Sequence, residues 1–202
     1  MTKRFWLMAL AVALFGTLGL STARAGLLPV LVTTSPDAGG TRFTYSVSLT
    51  SGSSLKAGDY FTIYDFAGYI PGSEQVAAGL GVEASAFTLT VGNAGVTPGS
   101  LLAVDDPNIP NLTWTYTGET LLGTLGLGNF SAISEFSETT TANFAGKSYK
   151  SDTSGFDAVD ENITSTTVPT GENVPEVPEP ASLALLGLGL PLARFLRRKQ
   201  AA

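Results

Sequence analysis

Period-two alternation is the feature that most limits what this chain can fold into. Phe43, Tyr45, Val47 and Leu49 alternate with Thr44, Ser46, Ser48 and Thr50, the pattern of a β-strand with one buried face and one hydroxyl-rich face in water. Phe87, Leu89 and Val91 alternate with Thr88 and Thr90 in the same way, and Leu112, Trp114 and Tyr116 with Thr113, Thr115 and Thr117. The segment 59–66, DYFTIYDF, sets Tyr60, Thr62 and Tyr64 against Phe61 and Ile63. Apolar bulk on both faces predicts a central strand there.

Shorter or weaker strands are expected at 26–32 (an edge strand), 101–104, 121–127, 130–137 and 140–150, the last of the series. The stretch 75–86 fits either a strand or one helical turn. Between these runs lie turn formers: Ser35-Pro36-Asp37-Ala38-Gly39-Gly40, Gly68 to Ser73, Gly92 to Gly99, Asp105 to Pro110, and Gly126 to Asn129. About eight short strands with no helical period outside the termini imply an all-β fold, an antiparallel β-sandwich of jelly-roll or immunoglobulin-like type, with a β-barrel as the alternative. Trp114, Tyr116, Phe43, Tyr45, Phe61 and Tyr64 read as its core rather than as a ligand platform. From 155 to 176 the chain becomes rich in Thr, Val, Pro and Glu and reads as an extended spacer.

Both ends have a different character. Lys3 and Arg4 precede an apolar run, 6–20, and Ala23-Arg24-Ala25 supplies the small residues of a cleavage site, so 1–25 reads as a signal peptide cut after Ala25. At the other end Pro178 and Pro180 hold 177–180 extended and exposed. The apolar segment 181–196 follows, roughly 24 Å long as a helix against a hydrocarbon core of about 30 Å. Arg197, Arg198 and Lys199 close it as a basic stop. A marginal anchor of this kind suits temporary membrane attachment.

What remains, 26–180, divides into a domain at 26–154, the spacer at 155–176 and the start of the tail. Of the 11 basic residues only Arg42, Lys56, Lys147 and Lys150 fall in it, against all 17 acidic ones, a formal charge of −13. The four form no basic patch to displace counterions from a phosphate backbone, so nucleic acid is excluded as a partner. There is no cysteine, so an exported domain of this length must rely on its core rather than on disulfides.

Histidine is absent as well, which removes Ser-His-Asp and Cys-His catalysis and zinc sites built on His or Cys. Only carboxylate, lysine or hydroxyl chemistry is left. A carboxylate enzyme would need two nearby acids in a concave pocket with perturbed pKa values. Asp105-Asp106 and the group Asp152, Asp157, Asp160 and Glu161 offer oxygen ligands for calcium, but the spacing is not that of an EF-hand, and loop solvation is the plainer reading. No other cofactor is implied. Asp152-Thr153-Ser154-Gly155 has an inserted residue relative to an aspartic-protease triplet and no second copy. Gly123 to Gly128 lacks the lysine of a phosphate loop and reads as a turn. The glycosylation patterns at Asn111, Asn129 and Asn162 read as coincidence in a Thr-rich chain.

The tail 177–202, with Val177, Pro178, Glu179 and Pro180 as its motif and Arg197, Arg198 and Lys199 as its finish, resembles the PEP-CTERM sorting signal of exported bacterial proteins. The same tail has also been labelled an ice-binding protein C-terminal domain. Ice binding does not follow, because the threonines sit on short separate strands rather than in one long regular array. The resemblance implies export, transient anchoring in the inner membrane, recognition by an exosortase-type transpeptidase at Pro-Glu-Pro, and delivery to the cell surface or extracellular matrix. It also implies a structural or binding role linked to exopolysaccharide or biofilm rather than an enzymatic one. The alternative class is a secreted carbohydrate-active enzyme using carboxylates.

Overall fold

The structure is a computed structural model that describes residues 26–151 and 157–171. It is all-β, with two antiparallel sheets and no closed barrel. The strands are β1 (Leu27–Asp37), β2 (Gly40–Leu49), β3 (Ser53–Leu55), β4 (Tyr60–Ile63), β5 (Gln75–Ala78), β6 (Phe87–Gly92), β7 (Asn111–Tyr116), β8 (Leu121–Leu122), β9 (Leu125–Ser134), β10 (Thr139–Lys150) and β11 (Val159–Pro169). One sheet has the order β1-β2-β9-β5. The other runs β6-β7-β4-β10-β3-β8, with β11 paired to β10.

Alternation in β2 translates directly into burial. Phe43, Tyr45, Val47 and Leu49 are fully buried, while Thr44, Ser46 and Ser48 are partly exposed. From the facing sheet come Phe61 and Ile63 of β4, Leu112, Trp114 and Tyr116 of β7, and Phe144 of β10. Their rings form a connected set: Phe61 stacks on Trp114 at 5.3 Å and on Phe144 at 5.6 Å, and meets Phe130 of the first sheet edge-on at 4.8 Å. Tyr64 is also buried, but on the outer face of its sheet. The chain between β6 and β7 crosses over it, with the Tyr64 hydroxyl 2.5 Å from Thr97 Oγ1 and 3.1 Å from the Val96 carbonyl. A Cβ on Gly95 would lie 2.2 Å from the Tyr64 ring, so only glycine lets the crossing chain approach this closely.

Several elements differ from the sequence expectation. β1 is the expected edge strand, but it continues to Asp37, and Asp37 turns the chain by accepting from the Ala38 amide at 2.7 Å. The stretch 75–86 holds both a strand, β5, and a 3-10 turn at Ala84–Ala86. Residues 101–104 form no strand: they belong to the crossing segment, and Leu102 is 96% exposed. The turn expected at 126–129 is instead the interior of β9, where a bulge opposite Val47 and Ser48 absorbs the extra residue. Gly128 makes this possible, since its φ of 118° suits glycine alone and a Cβ would meet the Ala77 carbonyl at 2.3 Å.

The largest correction concerns the spacer. Residues 159–169, expected to be extended linker outside a domain ending at 154, form β11 and pair with β10 along its length, from Tyr149↔Val159 to Thr139↔Pro169. The inward positions of β11 are Asp160, Asn162, Thr164 and Thr166, all polar, and only Val168 joins the core. No apolar alternation therefore advertises this strand.

Trp114 is 1% exposed, and its indole N–H has no hydrogen-bond partner. Trp114→Ala should therefore lose about 3–5 kcal/mol in denaturant unfolding. Trp114→Phe, which keeps a ring on Phe61 and discards the unpartnered donor, should lose less than about half of that. Equal losses in the two variants would mean that ring packing does not hold this part of the core.

Candidate functional site

The end of the sandwich where β11 finishes carries a groove of about 420 Å³, lined by Asp65, Ala67, Asp106, Ile109, residues 138–142, Pro169 and Thr170. A neighbouring depression continues it past Gly68, Asn108, Pro110, Phe136 and Gly171. Three loops and the start of β10 build it, and each is fixed by hydrogen bonds. Asp65 leaves β4 with a φ of 53°, a left-handed conformation that Asp tolerates better than most residues. Its amide donates to Asn111 Oδ1 at 2.8 Å, and its Oδ1 accepts from the Asp106 amide at 2.9 Å. Asn111 in turn donates to Asp105 Oδ1 at 2.9 Å, and Asp105 Oδ2 accepts from the Gly95 amide at 2.9 Å. Thr170 is held by its amide bond to the Glu138 carbonyl at 2.9 Å.

Asp65 is the perturbed acid of this groove. Burial pushes its carboxyl up, and the neighbouring charges of Asp105 and Asp106 add to the effect, against the opposing amide bond from Asp106. The groove therefore brings Asp65 together with Asp106 and Glu138, whose oxygens can accept hydroxyl donors from a ligand. A second perturbed acid, Asp59, lies elsewhere, at the start of β4. It is buried, its Oδ2 accepts from the Lys56 amide at 2.7 Å, and Lys147 Nζ stands 3.7 Å from its Oδ1. Burial raises its carboxyl as well.

The calcium candidates are not assembled. Asp157 pairs with Lys56, Asp160 is buried with its Oδ2 accepting from Ser53 Oγ at 3.4 Å, and Glu161 bonds Ser100. Asp152 lies outside the described residues, and among those described no three acids converge as a metal site. Asn111 and Asn162, two of the three glycosylation patterns, serve the fold: Asn111 is buried under Asp65, and Asn162 clamps the backbone of Leu27.

The processing residues Val177, Pro178, Glu179 and Pro180, the basic stop Arg197, Arg198 and Lys199, and the signal-cleavage residues Ala23 and Ala25 all lie outside the described residues. So do the apolar segments 6–20 and 181–196. Among the described residues no helix is long and apolar enough to cross a membrane. Residues 176–199 match the family model of the PEP-CTERM protein-sorting motif. The chain carries that sorting signal. The motif suggests an exported protein, sorted by exosortase from a membrane-anchored precursor to the cell surface. No curated protein matches the chain.

Asp65 gives a test of the groove's electrostatics. Its folded carboxyl titrates above the ordinary value of 3.8, so its ionisation costs stability as pH rises past that value and costs nothing well below it. Asp65→Asn keeps an acceptor for the Asp106 amide and tolerates the left-handed backbone. It should raise the unfolding midpoint at pH 7 relative to the parent and give no gain at pH 3. A loss at pH 7 would mean that the charge itself ties the loops together.

Proposed function

We propose that this is an exported protein of the bacterial envelope or extracellular matrix, whose β-sandwich has a structural or binding role linked to exopolysaccharide or biofilm after exosortase processing at Val177-Pro178-Glu179-Pro180. The observation that carries this reading is the sorting-motif match at 176–199. The fold is consistent with it. β11 takes up most of the expected spacer, so only residues 171–176 separate the last described hydrogen bond of the domain from Val177-Pro178-Glu179-Pro180. Residues 171–180 precede the apolar segment 181–196, a reach of at most about 35 Å, and the acidic groove therefore lies at the tethered end of the anchored precursor. The formal charge of −13 over 26–180 favours solubility outside the cell.

Mass spectrometry of the protein recovered from the producing cells should give a product starting near Gly26 and ending at 178–180. An intact Ala202 terminus as the dominant species at steady state would reduce the tail to an ordinary anchor. Deleting 181–202 should release soluble protein whose thermal unfolding is unchanged within about 1 °C. A fall of several degrees would mean that the apolar segment packs into the domain.

A second reading, a carbohydrate-active enzyme using carboxylates, draws on Asp65 and Asp106 sharing the groove, with the Asp65 carboxyl raised. It predicts glycan hydrolysis by the parent that disappears in both Asp65→Asn and Asp106→Asn. Glycan adhesion with no hydrolysis in the parent favours the binding role.

A further inference from the structure

Gly26, the residue that cleavage after Ala25 would leave first, is held within the fold. Gly26 is buried, and its carbonyl accepts from the Thr50 amide at 3.0 Å. Leu27 is gripped by Asn162, which donates to its carbonyl at 2.8 Å and accepts from its amide at 3.5 Å. A Cβ on Gly26 would lie 2.0 Å from Ser148 Oγ and 3.2 Å from Asp160 Oδ2. Asp160, on β11, is 7% exposed. Nitrogen and Cβ of one residue are about 2.5 Å apart, so the Asp160 carboxylate stands within roughly 6 Å of the Gly26 nitrogen.

We propose that this pocket is a binding site for the new amino terminus: the α-ammonium of Gly26, released by signal cleavage, pairs with Asp160 between Ser53 and Ser148 and locks the start of β1 onto β11. The inference rests on cleavage between Ala25 and Gly26. Hydrolysis there breaks the Ala25–Gly26 amide, gives the water oxygen to the Ala25 carbonyl carbon and leaves an amine that takes up a proton near neutral pH. The nitrogen thereby gains a positive charge beside a buried carboxylate, an arrangement that stabilises only when the opposite charges are in hydrogen-bond reach. The pocket also favours glycine as the first residue. Ser148 Oγ stands where a side chain on residue 26 would begin, so any larger residue must displace it, and the free backbone of glycine lets the ammonium turn toward Asp160.

The test uses the full-length chain, exported and processed in cells, as parent and as Asp160→Asn, each with and without Ser-Ser inserted between Ala25 and Gly26. Asparagine preserves the shape of the site and the bond from Ser53. In the parent the insertion should lower the melting temperature by at least about 5 °C, and in Asp160→Asn by less than about 1 °C. The amino terminus of the parent should also react with an amine-directed label at least about tenfold more slowly than that of Asp160→Asn. Equal temperature shifts in the two backgrounds, or equal labelling, would overturn the pairing. A product whose mass shows a start other than Gly26 would overturn the cleavage reading beneath it, an outcome visible before any melting curve is measured.

Discussion

Phe61 is the contact on which the rest of the sandwich depends. It lies on β4 with Trp114 directly opposite on β7, stacks on Phe144 of β10, and meets Phe130 of the other sheet edge-on. A single ring thus ties three strands of one sheet to β9 of the second. β9 has β2 and β5 on its two sides, so the order set at Phe61 extends laterally through backbone ladders. A domain without disulfides has no covalent constraint on its unfolded chain, and this ring set supplies the apolar burial in its place. The polar surroundings are organised around the same strand: Thr62 and Tyr64, next along β4, bond the carbonyl of Val96 in the segment that crosses the outer face.

The parts of this fold that were legible in the sequence are those where burial follows side-chain chemistry. β2 and β7 alternate because each has one face on the core, and Trp114 and Tyr116 are buried where the alternation puts them. β11 was invisible for the opposite reason. Its inward side chains lie at the rim, where Asp160 and Asn162 satisfy hydrogen bonds rather than fill apolar volume. In β9 the glycines marked a turn by composition, yet Gly128 serves a bulge inside the strand, and local propensity does not separate those two uses of positive φ. Tyr64 read correctly as buried, but its cover is a loop rather than the opposing sheet.

The groove was only half legible. Asp105-Asp106 stood out as adjacent acids, whereas Asp65 looked like the end of a strand pattern. What singles out Asp65 is its left-handed backbone and its bonds to Asn111 and Asp106, more than forty residues away, and no local sequence signal reports a contact of that separation. Glu138 and Thr170 enter the site only because β10 and β11 pair in this register. A strand missed in the sequence therefore concealed one wall of the site.

The same strand fixes the polarity of the molecule. Gly26 lies beside the start of β11, near Asp160, and Thr170 lies at its finish. At about 3.3 Å per residue the 11 residues of β11 separate these points by roughly 35 Å. Residues 171–180 link Thr170 to the apolar segment 181–196 with a reach of at most about 35 Å, and residues 21–25 link the run 6–20 to Gly26 with a reach of at most about 18 Å. In a precursor held by both segments the two links would leave opposite ends of β11, whereas the cleaved form proposed above would keep only the carboxy-terminal one. On the reading proposed above, the end that carries the groove is the tethered one, so cutting the sorting motif would free the groove from its membrane attachment.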